Sequence, residues 1–133
     1  MIVDSSAIVA ILKNEAEAQV FSNAIQAAGV VRMSAATYLE AHMVIGGYNN
    51  PVLRARLEEI LNNPGIVIEP VTVDQAIIAT DCHRSYGKGS GHPANLNFGD
   101  CFTYALARAK REPVLFKGEE FLQTDLRSAL EHP

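Results

Sequence analysis

Four short apolar runs, residues 1–3, 30–33, 66–68 and 113–116, recur along the chain with helical patterning between them. None shows the strict polar and apolar alternation of a half-exposed strand, so each is expected to be a strand covered on both faces. Such strands alternating with helices build a parallel sheet with helices packed on either side. The expected fold class is therefore α/β, a three-layer α/β/α arrangement around a short parallel sheet of four to five strands. With 133 residues, the chain has surface to bury for one real core and not for two, so a single domain over residues 1–133 is expected.

The helices carry their own punctuation. From Glu15, the spacing of Phe21, Ala24, Ile25 and Ala28 predicts an amphipathic helix that stops at Gly29. Ser34 is expected to cap a helix that ends at Gly46-Gly47, and Asn50-Pro51 places a cap before a first-turn proline. Thr72 and Gln75 have capping-box spacing and open a helix to about Tyr86. Residues 87–97 hold three glycines and a proline without apolar periodicity and read as a loop. Asn97 then caps a helix in which Phe98, Cys101, Phe102, Ala105 and Ala109 keep helical spacing.

Ligands of an open parallel sheet bind beyond the carboxyl ends of its strands. The residues expected there are acidic: Asp4 closes the first strand, Glu40 sits in the second turn of the helix after the second strand, Asp100 opens the helix before the fourth strand, and Glu119-Glu120 follow that strand. Each has an ordinary reading alone. Asp4 suits a helix cap, Asp100 a helix dipole, Glu40 a surface turn and Glu119-Glu120 a solvated corner. Together they form a cluster that cannot all ionise near neutral pH without a compensating cation, because close like charges raise one another's pKa. An all-oxygen set suits Mg²⁺ or Mn²⁺ better than Zn²⁺, and the chemistry such ions support is phosphodiester hydrolysis.

Charge narrows the partners. Eleven Lys and Arg against fifteen Asp and Glu leave a net charge of -4, which excludes coating nucleic acid by bulk positive charge but allows a local basic groove. Arg84, Lys88, His92 and Lys117 are the candidates for phosphate contacts. Cys82 and Cys101 form no C-x-x-C pair and are expected to be reduced core residues. Gly87-Lys88-Gly89-Ser90-Gly91 lacks phosphate-loop spacing, and Cys82, His83 and His92 match no structural zinc pattern. No run approaches the roughly 18 to 20 apolar residues of a membrane span, and Asp4 interrupts the only apolar start, so a cytoplasmic protein without membrane contact is expected.

Two other readings share the acidic rim. A phospho-accepting receiver-like module would use a lysine such as Lys117, but the third strand ends Ile68-Glu69-Pro70 with no acceptor aspartate. A phosphatase with an aspartate nucleophile would want a second acid where Ser6 stands. A non-catalytic Mg²⁺-binding regulatory domain is a further alternative, since fold alone does not fix function. Val52, Leu53, Leu57, Ile60 and Leu61 crowd one helix beyond what a small core is expected to bury, so a partner is expected to cover part of it.

Four segments carry a family resemblance: Ile2-Val3-Asp4-Ser5-Ser6-Ala7, Met33-Ser34-Ala35-Ala36-Thr37-Tyr38-Leu39-Glu40, Leu96-Asn97-Phe98-Gly99-Asp100-Cys101-Phe102 and Leu115-Phe116-Lys117-Gly118-Glu119-Glu120-Phe121. In this order and spacing, across nearly the whole chain, they resemble the VapC-type toxins of the PIN-domain ribonucleases. The resemblance implies a Mg²⁺- or Mn²⁺-dependent endoribonuclease that cleaves structured cellular RNA, tRNA or rRNA, and inhibits translation. It implies neutralisation by a cognate VapB-type antitoxin, and a homodimer. By the same resemblance, Asp4 and Asp100 match the principal metal ligands, Glu40 the third acid, and Ser6 a small hydroxyl that orients the first acid. Glu119 is favoured over Glu120 as the fourth acid. Attack by water would leave 5′-phosphate and 3′-hydroxyl ends.

Overall fold

The computed structural model describes residues 1–130. In chain order the elements are β1 (Ile2–Val3), α1 (Ser5–Leu12), α2 (Ala18–Ala28), β2 (Val31–Ser34), α3 (Ala35–Gly46), α4 (Pro51–Leu61), β3 (Ile66–Glu69), α5 (Val73–Tyr86), α6 (Phe98–Lys110) and β4 (Val114–Leu115), followed by a 3₁₀ turn at Phe121–Gln123. The four strands form one sheet in the order β3-β2-β1-β4, and every pairing is parallel. This is the expected α/β fold with four strands.

Successive strand residues point to opposite faces, and the two core clusters divide accordingly. Val3 and Leu115 pack with Ile8, Phe21, Met33, Ile45 and Leu57, on the side of α1 to α4. Ile2 and Val114 pack with Cys82, Leu96, Tyr104, Leu106 and Phe121, on the side of α5 and α6. The apolar runs lack alternation because both faces are covered.

The chain builds β1, β2 and β3 outward in one direction and then returns, so that β4 lies on the other side of β1. The crevice between β1 and β4 is thus the point where strand order reverses, the place where open α/β sheets present their ligands. Asp4 stands there, its backbone N–H donating to Leu115 O at 3.0 Å.

The caps fall where the sequence puts them. The Ser34 hydroxyl accepts from Ala36 N–H, the Asn50 side chain from Val52 and Leu53 N–H, and Thr72 from Gln75 N–H. Strand limits shift by a residue or so: β2 starts at Val31 because Val30 is half exposed, and β4 narrows to two residues. The expected surplus on α4 is corrected. Leu57 and Leu61 are buried and Leu53 and Ile60 pack against the core, which leaves Val52 exposed. The large apolar side chains left open on α3 are Leu39, Met43 and Val44. Among the described residues, no helix is long and apolar enough to cross a membrane.

Candidate active site

Asp4 is the N-cap of α1 and is almost fully buried. Its carboxylate accepts from the Ser6 backbone N–H at 3.1 Å and from the Thr103 hydroxyl at 2.6 Å. Thr103, itself without exposure, lies 3.2 Å from the Thr37 hydroxyl. Residues three apart share a helix face, so α6 presents Asp100 with Thr103, and α3 presents Thr37 with Glu40. Two helices therefore bring one acid and one buried threonine each to the end of β1.

Glu40 accepts from the Ser5 hydroxyl at 2.7 Å, which ties α3 to the start of α1. Gly99 makes room for it, because a Cβ at that position would overlap the Glu40 carboxylate. Asp100 is held by a reciprocal capping box: its N–H donates to Asn97 Oδ1 at 2.9 Å and its Oδ2 accepts from Asn97 N–H at 3.0 Å. One of the two bonds caps α6 and the other holds the carboxylate.

This crowding shows in the electrostatics. Burial pushes the Asp100 carboxyl up to about 6, with the charges of Asp4, Glu40 and Glu120 adding to the rise and the Asn97 N–H opposing it. Burial also raises Glu40; the Asp4 charge adds to that rise and the Ser5 hydroxyl counters it. Groups from α1, α3, α6 and the turn after β4 therefore share one field.

Glu119 and Glu120 both line a cleft of about 410 Å³ with Asp100, Lys88, Asn95 and Gln123. The charge of Glu120 adds to the rise at Asp100, and the expected fourth acid, Glu119, lines the same cleft. Gly118, at φ 108°, turns the chain there, and a Cβ on it would overlap the Glu120 carboxylate. The orienting hydroxyl differs from expectation. Ser6 reaches Asp4 through its backbone, while its hydroxyl accepts from Lys117 N–H at 3.0 Å and pins the loop after β4 to α1. Thr103 supplies the hydroxyl on Asp4. Sequence reasoning missed Thr103, Thr37, Ser5 and Gly99; the threonines were signalled by their spacing of three from Asp100 and Glu40.

The four expected phosphate contacts do not make one groove. Lys88 shares the cleft with the acids. Lys117 Nζ pairs with Glu15 and, at 3.4 Å, with Glu17, so its charge is engaged before α2. His92 packs edge-on to Tyr86 with its Nδ1 accepting from Ala94 N–H, as part of the loop's own structure. Arg84 lies on α5, 3.7 Å from Asp81, beside a different cleft. Cys82 and Cys101 are buried free thiols with their sulfurs 4.0 Å apart, too far for a disulfide.

The donor set fits a hard divalent cation. It is all carboxylate oxygen, its two raised acids gain by losing protons to a positive charge, and hydroxyls and amide N–H groups already fix Asp4 and Asp100. Among the described residues, no three acids, histidines or cysteines are drawn tightly enough to enclose an ion. Mg²⁺ in general keeps several waters and uses one or two carboxylates directly.

Comparison with known proteins identifies the family and the fold. The PIN domain family matches residues 1–126. Ribonuclease VapC28 of Mycobacterium tuberculosis is 47% identical over 131 residues, 98% of each chain, and ribonuclease VapC42 of the same species is 45% identical over 129 residues, 97% of this chain and 98% of the other. The crystal structure of VapC20 from M. tuberculosis, described as a sarcin-ricin loop cleaving toxin, superposes with a TM-score of 0.76 at 17% identity, covering 94% of this chain and 95% of that one. A toxin-antitoxin complex from Klebsiella pneumoniae gives 0.67 at 17% identity, covering 90% and 88%. At such identity these two structures speak to the fold alone.

Proposed function

This chain belongs to the PIN-domain family, with VapC ribonucleases among its relatives, and on that premise we propose that it is a metal-dependent endoribonuclease, the toxin of a toxin-antitoxin pair. The observation that carries the reading is the convergence of Asp4, Glu40 and Asp100, from three separate elements, at the point where strand order reverses. Its substrate is structured cellular RNA, tRNA or rRNA, cleaved in the cytoplasm so that translation stops.

Asp4 and Asp100 would hold the cation, Mg²⁺ or Mn²⁺, with Glu40 and, from the turn after β4, Glu119 and Glu120 completing the acidic set. When bound, the ion supplies a water activated for attack and neutralises charge that builds on the phosphate. Thr103 and the Ser6 N–H keep the Asp4 carboxylate in one orientation, and the Asn97 box does the same for Asp100. Lys88, at the mouth of the same cleft, meets the incoming phosphate and offsets repulsion between RNA and the acids. Attack by water on phosphorus breaks the bond to the 3′-oxygen and leaves 5′-phosphate and 3′-hydroxyl ends.

A cognate VapB-type antitoxin is the partner that keeps this site closed, and the chain acts as a homodimer. Support for a covering partner comes from α3, where Leu39 is 59% and Met43 68% exposed on the helix that carries Glu40. A segment laid over those side chains reaches the acids. End-mapping of cleaved RNA tests the chemistry: 5′-phosphate products support it, and 2′,3′-cyclic phosphates overturn hydrolysis by water. Co-expression with the adjacent small gene tests the partner, with restored growth expected and unrelieved arrest contradicting it.

A further inference from the structure

On the far flank of the α6 N-terminus from the acids lies a second cleft, of about 500 Å³, between α5 and α6, with walls mostly apolar. Ala79, Cys101 and Phe102 form its floor and sides, and Phe98, His83 and Arg84 form its lip. Phe98 is the first residue of α6 and 78% exposed, two positions from Asp100. Its ring meets Phe102 edge-to-face with centroids 4.9 Å apart, which holds it in place while most of its surface stays open. Packing does not require a phenylalanine there, and water opposes one.

We propose that this cleft is a nucleobase subsite: an unpaired base next to the scissile phosphate leaves its stack and lies against Phe98, while Arg84 and His83 at the lip meet the neighbouring phosphate. The inference rests on the ribonuclease reading of the acidic site and deepens it by giving the substrate a single-stranded or extruded nucleotide. Three features select this occupant over an apolar protein segment. Arg84 places a cation at the lip on a chain whose net charge is -4, which suits a polyanion. The Arg84 pairing with Asp81 is between two exposed side chains, the kind of ion pair a phosphate displaces at little cost. Cys101, in the lining of the cleft, directly follows Asp100 in the first turn of α6, so cleft and acid lie on neighbouring faces of one helix end. Aromatic rings that present a face to solvent beside cationic groups are how proteins hold single-stranded nucleic acid without reading its sequence.

The chain has no tryptophan, so Phe98→Trp creates a single reporter at an exposed position. Titrated in EDTA with a single-stranded octaribonucleotide, its emission is expected to be quenched saturably, and an abasic octamer of equal charge is expected to leave it unquenched. Phe98→Ala is expected to raise KM for RNA about tenfold with kcat little changed, and Phe98→Tyr to restore it. Equal quenching by the abasic strand, or an unchanged KM in Phe98→Ala, overturns the subsite. So does a Phe98→Ala effect confined to self-association, measured by sedimentation, because the face would then be a protein interface. If wild type and Phe98→Ala cleave RNA alike, the subsite falls and the ribonuclease reading stands. Base-dependent quenching with no cleavage by wild type supports the subsite and removes the ribonuclease reading.

Discussion

A buried aspartate with two hydrogen bonds, one from a hydroxyl that has no solvent exposure, is an oriented group rather than a merely tolerated one. Thr103→Val removes that hydroxyl at nearly constant volume, and partners of this kind are worth about ten- to a hundredfold in metal affinity or activity. Cleavage should fall by that factor while the far-ultraviolet circular dichroism stays unchanged; full activity would deny Thr103 its role. Gly99→Ala acts from the other side. The new methyl displaces the Glu40 carboxylate, which sits at the end of a flexible chain, so activity should drop with the fold retained. A thermal melt beside the rate assay separates the two effects. Asp4 and Asp100 were legible in the sequence because one directly follows a strand and the other opens a helix, and Glu40 because it lies in the second turn after a strand. Their hydroxyl partners were not, because Thr37 and Thr103 matter only once α3 and α6 face each other. Glu119, favoured in the sequence, and Glu120 follow Gly118 in one turn, and both line the cleft with Asp100.

At the scale of elements, α6 couples stability to function. The Asn97 box satisfies the helix start and fixes Asp100 with the same pair of bonds. Asn97→Ala removes the acceptor of the Asp100 N–H but keeps the backbone N–H that holds Asp100 Oδ2, so it should cost about 1 kcal/mol of stability and weaken Mn²⁺ binding only through fraying of the first turn, measured by denaturant titration and calorimetry. A loss of stability with unchanged metal affinity would make the box purely structural. Caps and helix ends were readable because Ser34, Asn50, Thr72 and Asn97 act on backbone only two or three residues away. The apolar face of α4 was misjudged because Leu53, Leu57, Ile60 and Leu61 find their partners in α1, α3 and the sheet, contacts distant in sequence.

For the whole molecule, the acidic cluster trades stability for readiness to bind a cation. Asp100 titrates near 3.8 when unperturbed and near 6 in the fold, so the folded protein holds that proton more tightly than the unfolded chain does. Its contribution is most favourable below the unfolded value and is lost as pH rises through about 6. A cation that binds the ionised acids reverses the loss. Mn²⁺ should thus raise the melting temperature more at pH 7.5 than at pH 5, and an equal shift at both would place metal binding elsewhere. A parallel sheet was foreseeable from local pattern, yet the order β3-β2-β1-β4 was not, because the return of β4 to the free side of β1 is decided by packing across the molecule. That return creates the crevice in which the acids meet. The most direct test of the account is to incubate the purified protein with total cellular RNA in Mg²⁺, Mn²⁺ or EDTA, beside Asp4→Asn and Asp100→Asn. Discrete cuts that disappear in EDTA and in both variants are predicted; cuts that persist in either variant, or no metal-dependent cleavage by the wild type, would contradict it.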